Sequence, residues 1–326
     1  MREIEIKPND AGQRFDKYLK KLLCNASGSF IYKMLRKKNI VLNGKKADGS
    51  EKLKSGDFVK LFLSDETYLK FTVNSEVVQK EYEVLRKLPV KDLQVVLEED
   101  DILVINKPAG LLSQKANPTD ISANEWILAY LIQTGKLSFE DFMTFRPSIC
   151  NRLDRNTSGL LIAGKSLKGL QEMAKVLQER TVKKYYRCIV AGEWKETTYL
   201  KGYLTKDEAS NRVTITDTKI SDESKEIETE YRPVTNWKGY TELEVHLITG
   251  RSHQIRAHLA SVGCPIIGDT KYGDTSVNRY FRDQQKLRFQ LLHAYRMELE
   301  DGRVLIAEVP AKFKEVRTFL TENNRK

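Results

Sequence analysis

The chain is predicted to fold as α+β, and three observations carry that prediction. Stretches of helical spacing and stretches of two-residue alternation follow one another in mixed order. Two turn signals, Asn43-Gly44 and Asp301-Gly302, each sit between strand-like runs and mark antiparallel hairpins. With 326 residues, 40% of them hydrophobic, the chain is long enough for two domains and at least one sizeable core.

From Gly12 onward, Phe15, Tyr18, Leu19, Leu22 and Leu23 recur with the spacing of one helix face. Ser29 is placed to cap a second helix whose apolar face is Ile31, Met34 and Leu35, and whose Lys33, Arg36 and Lys37 share one side. A strand over 40–42 meets the Asn43-Gly44 turn, Lys45 and Lys46 follow, and an alternating strand over 58–62 closes a compact unit spanning 1–63. Residues 64–92 are polar and charged and are interrupted by Pro89, the composition of an interdomain connector. The remainder, 93–326, reads as the larger domain.

That domain opens with two short strands over 94–104 around the acidic turn at 98–101, followed by Lys107-Pro108-Ala109-Gly110. Leu160-Leu161-Ile162-Ala163 reads as a buried strand, and Leu167, Leu170, Ala174 and Leu177 as a helix ending near Arg180. A strand covers 185–190, and Leu243, Val245 and Leu247 alternate into Gly250. A helix over 253–261 stops at Gly263, a hairpin spans 291–307, and a last helix carries Phe313, Val316 and Leu320 on one face.

Composition excludes several classes. No window approaches the roughly 20 apolar residues of a membrane span, and the start MREIEIKPND alternates charge with Ile, so the expected address is the cytoplasm. Cys24, Cys150, Cys188 and Cys264 lie far apart with no CxxC pair, and the four histidines lack HExxH spacing, so neither a zinc site nor a disulfide framework is expected. Free cysteines of this kind are expected as small buried apolar residues. The net charge is +10, but residues 1–62 hold fifteen Lys and Arg against seven Asp and Glu, a surplus of eight. A basic module ahead of a nearly neutral body points to a polyanion anchor on a separate working domain.

The stretch from Asn151 to Gly159 sets one carboxylate, Asp154, between Arg152 and Arg155 just before the apolar run at 160–163. Taken alone, Asp154 reads as an Asx-turn residue. The longer run NRLDRNTSGLLIAGK, Asn151 to Lys165, resembles the central motif HRLDxxTSGxxxxAK of the RluA-type pseudouridine synthases, with Asn151 in the place of the family His. The resemblance implies that Asp154 is the nucleophile, that Arg152 faces the cleft, and that Arg155 points outward. Thr157 and Ser158 are expected to hold the loop by bonding backbone.

Lys184-Tyr185-Tyr186 resembles the family's KxY strand, which makes Tyr186 the residue that stacks on the target base and a candidate to take its C5 proton. Tyr185, on the opposite face, is expected in the core. The run LITGRSHQIRAH from Leu247 to His258 resembles LxTGRxHQIRxH and implies that Arg256 pairs with Asp154, a charge-assisted bond that favours and orients a carboxylate. Lys184, Arg251 and His253 join Tyr186, Arg256 and Arg152 as substrate-binding candidates, with His253 and His258 read as hydrogen-bonding or RNA-contacting groups. Lys107 to Gly110 and Gly268-Asp269 with Tyr272-Gly273 fit the family's KPxG and GDxxYG, where the glycines serve the turns.

Residues 12–63 resemble the alpha-L RNA-binding domain, the S4-like module. On that resemblance Lys33, Arg36, Lys37, Lys38, Lys45 and Lys46 face structured RNA; without it they read as a solvated helix face. The whole implies an S4-like module plus a catalytic domain with a mixed, largely antiparallel sheet flanked by helices. The implied activity is isomerisation of uridine to pseudouridine in RNA, in large-subunit ribosomal RNA first and in transfer RNA as the alternative. No cofactor or metal is needed, and a monomer is expected. A non-catalytic ribosome-assembly protein would fit a chain lacking Asp154 or Arg256, and both are present. An aminoacyl-tRNA synthetase with the same module would need HIGH and KMSKS signatures, which are absent.

Overall fold

A computed structural model describes all residues of the protein except 73–74, 91–92, 208–209, 211 and 325–326. At the N-terminus, β1 (Arg2–Glu5), α1 (Phe15–Leu22), α2 (Gly28–Arg36), β2 (Ile40–Leu42), β3 (Lys45–Lys46) and β4 (Phe58–Leu61) form one unit. Its sheet runs β1-β4-β2-β3, all antiparallel. Asn43 (φ 50°) and Gly44 (φ 71°) both take left-handed conformations, as a two-residue hairpin turn requires. Phe15, Tyr18, Leu19, Ile31, Met34 and Leu35 are buried in its core, so the two helical faces pack against each other as their spacing indicates. The cap of α2 is Ser27, not Ser29: the Ser27 hydroxyl accepts from the N–H of Phe30, and the helix starts earlier than expected.

The expected connector contains two helices, α3 (Asp65–Phe71) and α4 (Ser75–Lys87). They divide between two cores. Tyr68 and Phe71 of α3 pack on the N-terminal core, the Phe71 ring 4.3 Å from that of Phe30, while Val78 and Leu85 of α4 are buried in the core of the larger body. The Lys7 amine reaches Asp141 of that body at 2.8 Å.

The body is built from β5 (Gln94–Glu98), β6 (Ile102–Lys107), α5 (Ala123–Gln133), α6 (Phe139–Thr144), β7 (Ser148–Ile149), β8 (Ser158–Gly164) and α7 (Leu167–Glu179). The strands β9 (Lys183–Ala191), β10 (Thr198–Asp207), β11 (Arg212–Thr216), β12 (Lys225–Trp237) and β13 (Tyr240–Leu247) follow. Then come α8 (Gln254–Ser261), α9 (Thr275–Gln285), β14 (Leu292–Glu298), β15 (Val304–Ile306) and α10 (Ala311–Asn323). The strands form one eleven-stranded sheet with the order β11-β10-β12-β13-β9-β14-β8-β6-β5, β7 and β15 attaching to β8 and β14. Its pairs are antiparallel except β14 with β8. The fold is therefore the expected mixed sheet flanked by helices.

Alternation divides the sheet into two faces. Tyr186, Cys188, Val190, Leu243, Val245 and Leu161 face the core under α4, α5 and α8. Ile189 faces the opposite side with α9 and α10, and Ile162 packs there with Met173 of α7. Among the cysteines only Cys188 is buried, whereas Cys24 is exposed, contrary to the expectation of burial. Among the described residues no helix is long and apolar enough to cross a membrane.

Candidate active site

Asp154 stands in the loop between β7 and β8, and other segments hold the main chain on both sides of it. The buried Ser113 hydroxyl accepts from the N–H of Leu153 at 3.0 Å and donates to the Leu153 carbonyl at 2.7 Å. Lys107, fully buried, donates from Nζ to the carbonyls of Leu111 (2.7 Å), Pro108 (3.0 Å) and Arg155 (3.2 Å). Burial pulls the Lys107 ammonium down to about 7, while the nearby Asp154 carboxylate pushes it up. The N–H of Thr157 closes the turn on the Asp154 carbonyl at 3.0 Å.

The loop is also fastened where it joins β8. The Thr157 hydroxyl accepts from Gln290 Nε2 at 2.9 Å, and Ser158 Oγ lies 2.8 Å from Nδ1 of the fully buried His293. His293 Nε2 faces the Ala307 carbonyl at 3.1 Å, so Nε2 donates and Nδ1 accepts from Ser158. The hydroxyls of Thr157 and Ser158 thus hold the loop through distant side chains, where the sequence suggests bonds to backbone. At the loop's start, Asn151 Oδ1 accepts from the N–H of Ile162 at 2.8 Å, which gives the residue in the family His position a structural task.

The carboxylate itself meets Arg256, in the first turn of α8. Arg256 Nη1 donates to Asp154 Oδ2 at 2.7 Å, while Nε and Nη2 donate to the two oxygens of Asp269 at 2.7 and 3.0 Å. Asp269 is completely buried; burial alone would raise its carboxyl, but Arg256 and the N–H groups of Lys271 and Tyr272 outweigh it and hold it below the usual range. One guanidinium therefore grips Asp269 with one edge and presents the remaining nitrogen to Asp154. The turn before α8 is set by Gln254, whose amide bonds Thr249, Thr229 and the Arg251 N–H.

Every catalytic or substrate-binding candidate from the sequence lines one cavity of about 710 Å³: Asp154, Tyr186, Arg256, Arg152, Lys184, Arg251 and His253. Tyr186 is buried in its wall, and burial raises its phenol above the ordinary value. Burial lowers Lys184, and nearby Arg180 adds to that. His253 Nδ1 lies 3.0 Å from the Tyr272 hydroxyl and its Nε2 4.0 Å from Asp154; burial lowers it below the ordinary histidine value, against the upward pull of Asp154. Arg152 and Arg251 are exposed at the mouth.

Three expectations need correction or sharpening. Tyr185 is not in the core: its half-buried ring lies on the other face of the sheet, stacked 4.7 Å from His246 and 4.0 Å beneath Arg296. His258 is not at the surface where RNA could reach it; it is buried edge-on to Tyr231, and burial pulls it down to about 4. In GDxxYG the acid matters as much as the glycines, because Asp269 anchors Arg256. Lys33, Arg36, Lys37, Lys38, Lys45 and Lys46 are all exposed. Ser113, Lys107, Asp269, Gln290 and His293 are positioning residues that the sequence reading did not assign. Only Lys107 and Asp269 lie in a recognisable run.

A basic module of two helices and a small sheet, ahead of a body whose cavity holds one acid against a buried arginine, defines an enzyme that works on RNA. Residues 101–261 match the family of RNA pseudouridylate synthases, and residues 13–59 match the S4 domain. The chain belongs to the RNA pseudouridylate synthase family and is a pseudouridine synthase. It is 30% identical to ribosomal large subunit pseudouridine synthase D of Nitrosomonas europaea over 94% of this chain and 84% of that protein. It is 31% identical to ribosomal large subunit pseudouridine synthase C of Rickettsia bellii over 93% of this chain and 96% of that protein. The solved structure of human RNA pseudouridylate synthase domain containing 4 shares the fold, with a TM-score of 0.59 at 21% identity over 74% of this chain and 98% of that one.

Proposed function

We propose that the enzyme isomerises uridine to pseudouridine in large-subunit ribosomal RNA, with Asp154 as the nucleophile. The observation that carries this reading is the bond from Arg256, itself anchored by Asp269, to Asp154 Oδ2 in a cavity that Tyr186 also lines. The carboxylate adds to the ribose or the base, and the glycosidic bond from N1 breaks. The base turns, C5 joins C1′, the bond between substrate and carboxylate breaks to restore free Asp154, the C5 proton leaves, and N1 gains a proton. Reactant and product are isomers, so no redox equivalent is consumed. The cavity's task is to keep the detached base from solvent while it turns.

Tyr186 serves in this scheme as a flat wall for an extruded base. Its raised phenol stays protonated at neutral pH, which argues against a standing phenolate as the acceptor of the C5 proton. The ribosomal target is supported by the names of the relatives, which cover nearly the full chain. The test is to map pseudouridines in RNA from cells that lack the protein and carry either the wild type or Asp154→Asn. The wild type should restore a site in large-subunit RNA and the variant should not. Restoration by the variant would overturn the nucleophile, and a restored site in transfer RNA would overturn the target.

A further inference from the structure

Beside the catalytic cavity lies a second one of about 400 Å³, lined by Gly110, Leu112, Ala116, Asp120, Ile121 and Arg155 among others. Leu112 and Ala116 belong to both linings, so the two cavities share a wall. The arginines that flank Asp154 divide between them: Arg152 lines the first and Arg155 the second. A strand whose base enters the first cavity can carry a neighbouring nucleotide past this wall.

Arg155 is held as a preorganised anion ligand. Its carbonyl accepts from Lys107 Nζ at 3.2 Å and from the N–H of Gly110 at 2.9 Å, and its own Nε donates back to the Gly110 carbonyl at 3.2 Å. Gly110 has φ +90°, and a Cβ there would lie 2.8 Å from the ring of Phe289, so this turn admits little change. The base of the guanidinium is thus fixed, while Nη1 and Nη2 have no acceptor among the described residues and the side chain is exposed.

The acid in this cavity, Asp120, does not take that role for Arg155. Its Oδ2 accepts from the N–H groups of Asn117 (2.7 Å) and Ala116 (3.1 Å), bonds that hold its carboxyl below the usual range, with the Arg155 charge adding a smaller share through space and no hydrogen bond. What remains open is a guanidinium fixed at Nε whose outer nitrogens have no hydrogen-bond acceptor among the described residues, in a cavity of mixed lining, and that suits a phosphodiester joined to a nucleoside.

Building on the functional reading above, we propose that the second cavity receives the nucleotide adjacent to the target uridine on the same RNA strand, with Arg155 on the phosphate that joins the two. The test uses an RNA fragment carrying the mapped target, prepared unmodified and with a neutral methylphosphonate at either linkage flanking that uridine. On the unmodified RNA, Arg155→Ala should raise Kd and KM by roughly three- to tenfold with a much smaller change in kcat, and Arg155→Lys should recover part of the loss. One methylphosphonate should weaken the wild type by a similar factor, and on that RNA Arg155→Ala should add nothing further. An equal loss from Arg155→Ala on all three RNAs, or no loss on any, overturns the proposal. Wild-type turnover of the unmodified RNA is the control that separates such a result from failure of the functional reading itself.

Discussion

The loop that carries Asp154 and the basic face of the N-terminal module are both rich in charge, yet they are built on opposite plans. Around Asp154 each group is held from several directions: Ser113 at Leu153, Lys107 at Arg155, Arg256 at the carboxylate, and Asp269 behind Arg256. On the module, Lys33, Arg36, Lys37, Lys38, Lys45 and Lys46 are exposed, and none has an ion-pair partner among the described residues. Chemistry requires one atom at one place, which only an over-determined loop supplies. Affinity for a polyanion requires only charge density, and solvated lysines supply that without fixed geometry. Substitutions in the first region should therefore act steeply and singly, and in the second gradually and together.

The largest expected effect is that of Asp154→Asn. Removing the proposed nucleophile while keeping the shape should abolish pseudouridine formation and leave RNA binding within about twofold, read by product analysis beside filter binding. Residual turnover at the wild-type rate would sink the assignment. Next is Asp269→Asn, which never touches substrate. It leaves the buried Arg256 short of its bidentate partner, so stability should fall by roughly 3 kcal/mol or more, as measured by chemical denaturation. At a temperature where the variant remains folded, kcat should still drop by at least about tenfold, with KM moving less. A variant that loses stability but keeps kcat would mean that Asp269 supports the fold alone.

These two plans also explain what the sequence disclosed. Asp154, Tyr186 and Arg256 were legible because each sits in a local run whose residue combination is rare, and the sheet brings those runs to one cavity. Ser113, Gln290 and His293 were not, because each is a single polar letter in an ordinary stretch whose partner lies at least 40 residues away. The strands β10 to β12 gave little signal because they lie toward one edge of the sheet, where Lys, Glu and Thr outnumber apolar positions. Tyr185 was misplaced for a related reason: alternation identified its face, but not that this face is wet and lined with Arg296 and His246. The helix cap shifted from Ser29 to Ser27 because two serines flank one glycine, and only geometry separates them.

Lys107 offers a subtler way to probe the catalytic side. Its folded value of about 7 lies below the ordinary 10.5, so between those two values the unfolded chain binds a proton that the folded protein does not. Stability should therefore rise with pH across that window, by up to roughly 1 kcal/mol per pH unit. Lys107→Met removes the titration, so the wild type should gain on the variant steadily from pH 7.5 to 9.5 in denaturant melts. Parallel profiles for the two proteins would show that the buried amine keeps its proton throughout.

The smallest single effects should come from the basic face, and there the pattern is more telling than the size. Each of Lys45→Ala and Lys46→Ala, on the strand after the Asn43-Gly44 turn, should weaken RNA binding by only about two- to threefold, because a solvated charge contributes little on its own. Each neutralised phosphate contact should also lower the slope of log affinity against log salt by roughly 0.7 to 0.9. The double variant should show the two losses multiplied, since no hydrogen bond links the side chains, and kcat at saturating RNA should stay near the wild-type value. A steep loss from either lysine alone, with an unchanged salt slope, would mean that the module reads RNA through fixed geometry as the loop that carries Asp154 does, and the contrast between the two regions would fail.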